Sequence, residues 1–177
     1  MTNNKRALGA SLDQKISIQT NILQTLLGYF IINTNNDNYS FMLKTVKIRL
    51  YPTKEQKQYL AKSFGCVRWF WNYSLNLTNE TYQATGKGLS RADIQGMLPQ
   101  LKKQEDTVWL KEPYSQCLQV VALNLSNAFI NFFERKAAFP RFKSKHGKQS
   151  LTYPQNVKLE GNKYLKFPSW ESISRSR

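Results

Sequence analysis

The stretch from Phe139 to Lys166 constrains this chain most, because it joins dense positive charge to aromatic residues and then alternates between apolar and polar residues. Its first part is an aromatic and basic cluster: Phe139, Pro140, Arg141, Phe142, Lys143, Lys145 and Lys148. Cations that bind phosphate work best on a stiff backbone, and proline and aromatic neighbours supply stiffness. A solvated basic loop has the same composition, so the cluster alone leaves both interpretations open.

The overall charge indicates a polyanionic partner. The chain has 26 Lys+Arg against 11 Asp+Glu, a net charge of +15, and all but one unit of that excess lies after residue 41. No apolar run approaches the roughly 18 residues that a membrane span needs. The basic stretch is strand-like and turn-rich rather than an amphipathic helix, so we expect no membrane partner. No small-molecule substrate is expected either.

The cysteines and the histidine predict no metal or catalytic site in this chain. Cys66 and Cys117 are isolated, no CxxC occurs, and His146 is the only histidine. Zinc binding and a Cys/His nucleophile pair are therefore not expected, and no cofactor is expected in this chain. Unpaired cysteines without a signal peptide are typical of a cytoplasmic protein.

Residues 1–41 differ from the rest of the sequence. Leu12 to Ile32 partly follows helical spacing, and an Asn-rich linker, NTNNDNYSF, comes next. Three interpretations remain: an accessory helix, a secretory signal, or upstream sequence before a true start at Met42. Polar interruptions and a missing cleavage pattern argue against a signal. We favour the third interpretation, because the recognisable sequence pattern begins at Met42, and residues 1–41 are expected to lie outside the fold.

The next segments predict a strand followed by helices. Leu43 to Tyr51 alternates as a half-buried strand with basic residues on its outer face. A capping box of Thr53 and Gln56 predicts a helix that ends at Gly65, and a second helix is expected from Cys66 to about Thr85. Ser90 and Asp93 form another possible capping box, for a helix to about Leu101 that Pro99 kinks or ends early.

The last third predicts a long helix and then strands. Tyr114 to Lys136 has a broad apolar face at helical period. Strands are expected at Ser150–Pro154 and Val157–Phe167, the second bent at Gly161 into a hairpin. Five aromatic residues are expected to be mostly core rather than stacking platforms: Phe70, Trp71, Phe129, Phe132 and Phe133.

Four segments in this order carry a family resemblance. They are LKTVKIRLYPTKEQKQYLAKSFGCVRWFWNYSLN, GKGLSRADIQGMLPQLKK, WLKEPYSQCLQVVALNLSNAFINFF and FPRFKSKHGKQSLTYPQNVKL. Together they resemble the N-terminal portion of the TnpB family, which comprises transposon-encoded, RNA-guided DNA endonucleases of the OrfB type, long described as helix-turn-helix transposases. The resemblance runs from Met42 to about Pro168.

The resemblance implies an α+β fold in which a helical recognition lobe is inserted in an oligonucleotide-binding-like β-barrel. Residues 42–52 would be the first barrel strand, 53–138 the lobe, and 139–168 the basic segment and returning strands. After Pro168 the family pattern stops, so the barrel is expected to be incomplete and residues 169–177 an unstructured tail. Double-stranded DNA and a guide RNA are the implied partners.

The resemblance also implies candidate binding residues. Seven positions correspond to the surface that reads a short motif beside the target: Arg91, Gln95, Ser115, Gln116, Gln119, Gln155 and Asn156. An amide such as that of Gln119 is able to pair with two atoms of adenine. Seven cations are expected to hold phosphate of DNA or RNA: Lys47, Arg49, Arg68, Arg141, Lys143, Lys145 and Lys148. Ordinary exposed polar residues are the alternative for all of them.

The catalytic half of the family pattern is missing from the sequence. Family cleavage uses a RuvC-like domain with three carboxylates that hold divalent metals, and a zinc ribbon; here the acidic residues are scattered. We therefore expect no catalytic residues and a truncated fragment that binds nucleic acid without cutting it. A stand-alone helix-turn-helix regulator, with its turn at Gly65, and a non-functional remnant of a gene are the alternatives.

Overall fold

The computed structural model describes residues 49–161, 164–168 and 170–175. The predictions for residues 1–41, most of the first strand and Lys47 lie outside these residues. The described part has an α+β fold: three α-helices, one 3₁₀ helix and a four-stranded antiparallel sheet. None of its helices combines the length and apolar character that a membrane crossing requires.

The first helix, α1 (Lys54–Thr85), is one continuous helix of 32 residues. Its predicted capping box is confirmed: the Gln56 N–H donates to the Thr53 hydroxyl at 3.3 Å, and the Thr53 N–H donates to Gln56 Oε1 at 2.9 Å. The predicted break at Gly65 is wrong, because buried residues continue on both sides of it. The helix ends at Gly86, which has the positive φ of 72° typical of a helix stop.

The second helix, α2 (Arg91–Leu101), starts at the predicted box, in which the Asp93 N–H donates to the Ser90 hydroxyl and the Ser90 N–H donates to the Asp93 carboxylate. It continues two residues past Pro99, so the proline lies in the last turn. A 3₁₀ helix (Glu105–Lys111) leads to α3 (Ser115–Phe133), which confirms the predicted long helix with an earlier end. There, the N–H groups of Lys136 and Ala137 both donate to Asn131 O.

The core lies between the helices. Helix α3 packs against both α1 and α2, and the short 3₁₀ helix adds Leu110. Fully buried side chains at this centre include Phe70, Leu75, Ile94, Leu110, Leu118 and Leu125. Their spacing along each helix is the helical period seen in the sequence, since one face of each helix turns inward.

The strands form one sheet in the order β1-β4-β3-β2. The four strands are β1 (Leu50–Tyr51), β2 (Lys158–Glu160), β3 (Tyr164–Phe167) and β4 (Trp170–Arg175). The predicted hairpin is confirmed by the antiparallel pairing of β2 with β3, joined at Gly161 with φ of 55°. The small sheet establishes the α+β class; closure into a barrel remains a proposal.

The stretch predicted to be an unstructured tail is largely strand β4, so that prediction is wrong for residues 170–175. This strand pairs with β1 through Tyr51 and Ser174, and with β3 through Leu165 and Ile173. Pairing uses backbone N–H and C=O groups, so a strand between two others forms without a regular side-chain period. It brings the start and the end of the described chain together, with all the helices between them.

The strand predicted at Ser150–Pro154 is also wrong, because these residues form a connection without regular secondary structure. Leu151 and Tyr153 are buried and the residues between them are less so, which explains the alternation in the sequence. Tyr153 stacks on Tyr114 with centroids 6.0 Å apart and lies 5.0 Å from the ring of Phe167. Alternation of apolar and polar residues indicates that one face of a segment is buried, but a β-strand also needs a neighbouring strand with which to pair.

Candidate nucleic-acid interface

The basic segment, defined here as Phe139–Gln149, lies on helix α1 and is fixed there by side chains. Trp71 Nε1 donates to Arg141 O at 3.0 Å. The Asn72 side-chain amide makes two bonds to the backbone of Lys143: Nδ2 donates to its O at 3.0 Å, and Oδ1 accepts from its N–H at 2.7 Å. This amide therefore pairs with the segment as a neighbouring strand would, and it holds an irregular chain in one position.

Lys143 is the innermost cation of the basic segment. Its Nζ lies 4.0 Å from the ring centroid of Trp71, a cation–π contact. Burial lowers the pKa of Lys143, because a charged ammonium is less well solvated there. This lysine therefore helps to attach the segment to α1, and it is less available to an external phosphate than its exposed neighbours.

Gln149 closes the turn that carries the other lysines. Its Nε2 donates to the carbonyl oxygens of Ser144, Lys145 and Gly147 at 2.9, 3.1 and 2.9 Å. Its Oε1 accepts from Arg68 Nη1 at 3.0 Å, which connects the turn to α1 a second time. The backbone of the turn is thereby satisfied from inside, and the lysine side chains remain exposed.

The structure brings together five of the seven predicted phosphate-binding cations. Arg68 and Lys143 lie between α1 and the segment, and Arg141, Lys145 and Lys148 are exposed along it. Arg49 is exposed beside β1, and no hydrogen bond or ion pair among the described residues joins it to the basic segment. A rigid row of three exposed cations is able to hold phosphates without ordering the backbone at the moment of binding.

A second polar surface, here called the amide face, joins α2, the start of α3 and the chain near residue 156. Gln95 Nε2 donates to Gln119 O at 3.2 Å, which connects the two helices. Asn156 Nδ2 donates to the Tyr114 hydroxyl at 3.4 Å. Ser115 precedes Gln119 by four residues and therefore shares its side of α3. Much of the predicted motif-reading set is thus gathered in one place.

Other members of that predicted set are placed differently. Arg91 is exposed one turn before Gln95 on α2, and Gln155 is exposed next to Asn156. Gln116 is half-buried, and its Oε1 is buried without a hydrogen-bond partner among the described residues, so this acceptor is not presented to solvent as that of a reader would be. Asn156 has a φ of 63°, a conformation that asparagine tolerates better than most residues.

Sequence reasoning missed three residues that build these surfaces: Asn72, Gln149 and Lys102. Lys102 Nζ donates to Ser115 Oγ at 2.8 Å, and burial lowers the pKa of Lys102. Asn72 lies one turn after Arg68 on the same side of α1, which was the available signal for it. Nothing in the spacing of Lys102 or Gln149 indicated their partners, because those contacts join distant segments.

The buried thiols and the acidic residues give no sign of a catalytic centre in the described residues. Burial raises the pKa of Cys66 to about 11 and that of Cys117 to about 12, so both thiols are protonated at neutral pH. No group of three or more His, Cys, Asp or Glu side chains in the described part of the chain is placed to hold a metal ion.

The aromatic residues divide into two groups. Phe70 and Trp71 are buried as predicted, although Trp71 also binds the basic segment through its indole N–H and its ring. Phe133 is 70% exposed, so the core prediction is wrong for this residue. The apolar face of α3 continues past Leu125, its last buried residue, to the exposed C-terminal end of the helix.

Comparison with known proteins identifies the family. A profile described as a helix-turn-helix domain of the IS605 OrfB type matches residues 42–87, a range that includes β1 and α1. Virulence protein VsdF of Salmonella dublin is 41% identical over 60% of this chain and 98% of its own length. The candidate RNA-guided DNA endonuclease InsQ of Escherichia coli (strain K12) is 35% identical over 67% of this chain. This chain belongs to the TnpB family.

The relatives in the TnpB family differ in length. The chain spans 29% of InsQ and 29% of a candidate RNA-guided DNA endonuclease of Streptomyces pristinaespiralis, to which it is 33% identical. The shared region therefore corresponds to a minor part of those two proteins and to nearly all of VsdF. Within the matched helix-turn-helix region, the described residues contain a single helix through Gly65 rather than two helices and a turn.

Proposed function

We propose that this chain is a nucleic-acid-binding part of a transposon-encoded, RNA-guided DNA nuclease of the TnpB family, and that it serves the transposition of an insertion sequence. The observation that carries the proposal is the attachment of the basic segment to α1 by Trp71, Asn72 and Arg68. Solubility alone requires exposed lysines, but it does not require their backbone to be fixed by side chains from a distant helix.

The two surfaces would make different contacts. Arg141, Lys145 and Lys148 of the basic segment would bind phosphates of DNA or guide RNA and release counterions, which gives affinity without sequence preference. The amide face would read base edges: Gln119 has an exposed side chain, and its amide offers the donor and acceptor that adenine requires. Family membership and the net charge of +15 support this division.

The sheet would belong to an oligonucleotide-binding-like barrel with the helices as an inserted lobe. The pairing of β1 with β4 supports this arrangement, because the chain leaves the sheet after β1 and returns to it only after α3. Cutting is not proposed for these 177 residues, in which the acidic residues are scattered along the sequence. Metal-dependent nicking of DNA by the purified chain would contradict that part of the proposal.

Binding of the full chain to short duplex DNA and to a structured RNA, each at low and high salt, tests the proposal. We expect binding to both, weakening steeply as salt rises. Replacing Lys145 and Lys148 by alanine should weaken binding to every sequence and reduce the salt slope by about one to two. The matched control is replacement of Lys54 and Lys57, two exposed lysines in the first turn of α1, which removes the same charge.

Gln119→Ala tests the amide face separately. It should reduce discrimination between DNA sequences and leave the salt slope unchanged, because the side chain carries no charge. A folded chain that binds neither DNA nor RNA at low salt would refute the proposed function. A discrete palindromic footprint on DNA, with no RNA binding, would favour a stand-alone regulator instead.

A further inference from the structure

An aromatic patch lies at the C-terminal end of α3, and is defined here as Ile130, Phe132 and Phe133 of that helix together with Phe139 of the basic segment. Phe133 is 70% exposed, Ile130 49% and Phe139 45%. A cluster of exposed large apolar side chains usually marks an interaction surface, since single ones are common but groups are not. Neither the amide face nor the exposed cations of the basic segment use these side chains.

The rings of the patch are held in a fixed arrangement. Phe139 stands edge-on to Phe132, with centroids 5.1 Å apart at 89°, and edge-on to Phe129 at 5.7 Å and 79°. Phe133 is tilted by 60° to Phe132 at 5.4 Å. Phe129 packs against the hydrophobic core and anchors the group. The exposed ring of Phe133 therefore rests on a prearranged set of neighbours.

Arg135 follows the patch in a conformation that arginine rarely adopts. Its φ is 59°, and its N–H donates to Phe132 O at 2.9 Å in the turn that ends α3. Glycine fits such a position with less strain. The guanidinium is exposed, and the described residues hold no ion-pair partner for it, whereas its neighbour Lys136 pairs with Glu134 at 2.7 Å.

The charge around the patch selects the class of partner. From Arg135 to Lys148 the sequence has six Lys+Arg and no Asp or Glu. Exposed aromatic rings bordered by cations match a flat base attached to a phosphate, the combination found where proteins bind single strands. Bases within a duplex are already stacked on each other, so their faces are not free for this contact.

We propose that the aromatic patch and Arg135 bind unpaired nucleotides of single-stranded RNA or DNA, with a base stacked on Phe133 and a phosphate bound by Arg135. The proposal rests on the proposed function, because it assumes that the chain binds nucleic acid. It adds a second kind of ligand at a separate place: strand segments outside any duplex, recognised by stacking without sequence preference.

Fluorescently labelled oligo(U), oligo(dT) and a blunt duplex are the probes for the full chain. Phe133→Ala and Phe133→Leu should each weaken single-strand binding about five-fold or more, because leucine keeps an apolar surface but cannot stack. Binding of the duplex should be unchanged. Val108→Ala, at an exposed apolar residue of the 3₁₀ helix, is the matched control and should change neither. Binding of one single strand and not the other supports the proposal and identifies the source of the nucleotides.

Arg135→Gly separates binding from folding. It should raise Tm, because glycine relieves the positive φ, and yet weaken single-strand binding; Arg135→Lys should retain most of the affinity. Single-strand binding of Phe133→Leu equal to that of the unchanged chain would overturn the proposal, as would equal losses for the duplex. Duplex binding without any single-strand binding would overturn it while leaving the proposed function intact. Binding of no probe would refute both.

Discussion

Asn72 shows how one side chain positions a surface it does not itself form. Its amide makes two hydrogen bonds to the backbone of Lys143, 71 residues along the chain, while the cations that would contact phosphate lie further along the segment. A hydrogen bond contributes about 0.5–1.5 kcal/mol net, so the pair matters most for where the segment lies. Asn72 does not change the charge of the basic segment, but it determines where the segment lies.

Asn72→Ala should therefore weaken duplex binding without changing net charge. The loss of two bonds should also lower the free energy of unfolding by about 1–3 kcal/mol. Fluorescence anisotropy and thermal unfolding measure the two effects. Asn76→Ala is the control: that side chain lies one turn further along α1, its one hydrogen bond within the described part of the chain goes to the exposed Glu80, and its loss should shift stability by no more than about 0.5 kcal/mol. Equal effects of the two variants would show that Asn72 has no special role.

The buried thiols predict how stability depends on pH. The pKa of Cys117 is raised to about 12 and that of Cys66 to about 11, chiefly because burial disfavours the thiolate. Unfolded cysteine has a pKa of about 8.5. The unfolded state therefore loses protons first, so the thiols' contribution to stability is complete below about pH 8.5 and declines as pH rises toward 11 and 12.

The difference between the wild type and Cys117→Ala isolates this effect. The stability advantage of the wild type should shrink from pH 8 to pH 10.5, as measured by urea unfolding under reducing conditions. Taking the difference removes the opposite contribution of Lys102 and Lys143, whose lowered pKa makes stability rise with pH just below the usual lysine range. A pH-independent difference would mean that the Cys117 thiol is solvated in the folded chain.

At the scale of the element, helix α1 determines how the whole lobe is built. Arg68, Trp71 and Asn72 lie within little more than one turn, so a single rigid helix holds the basic segment at three points. Gly65 lies just before them inside the helix, with only Arg68 Nη2 at 4.0 Å from where a Cβ would be. A turn at this glycine would separate the N-terminal half of α1 from the half that binds the segment.

Gly65→Ala should stabilise the protein by about 0.5–1 kcal/mol, because alanine is the better residue in a helix interior and meets no close neighbour here. Gly86→Ala should destabilise the protein by about 1 kcal/mol or more, because Gly86 has a φ of 72°, a conformation that is strained for alanine. Chemical denaturation of the two variants gives both signs. Destabilisation by Gly65→Ala would instead support a turn and a helix-turn-helix at this position.

At the scale of the whole molecule, β4 connects the beginning of the described chain to its end. It is the strand between β1 and β3, and among the described strands it is the one that pairs with β1, whereas β3 also pairs with β2. The sheet in turn places Tyr153 against Phe167, beside the amide face. The helical lobe and the sheet are therefore coupled with the help of β4, a strand whose sequence shows no strand pattern.

Truncation after Pro168 tests this coupling. It removes β4, and we expect a lower Tm and a loss of β-sheet signal in circular dichroism, since β1 is left without its partner. Removing only Ser176 and Arg177 is the control, because it leaves Trp170–Arg175, the residues of β4, in the chain. An unchanged Tm on truncation after Pro168 would instead fit the unstructured tail that the sequence predicts.

Local signals in the sequence were sufficient for the helical character of the segments that form α1, α2 and α3, for two of their caps, for the hairpin and for the family. Thr53 with Gln56, Ser90 with Asp93, and the apolar period of α3 act between residues a few positions apart, so a window of sequence contains both partners. The net charge of +15 could also be known without the structure, because it follows from the amino-acid composition.

Only the tertiary structure decided where those elements lie and which residues meet. Three contacts between separate segments could not be predicted from residue spacing: Asn72 with Lys143, Gln149 with Arg68, and Lys102 with Ser115. Helix α1 continues through Gly65 because residues on both sides of it are buried. Strand β4 forms because it pairs with the backbone of strands from other parts of the chain. Packing and pairing of this kind depend on which surfaces remain to be covered once the helices have formed. No single segment of the sequence contains both partners of such a contact, so it cannot be predicted from local sequence.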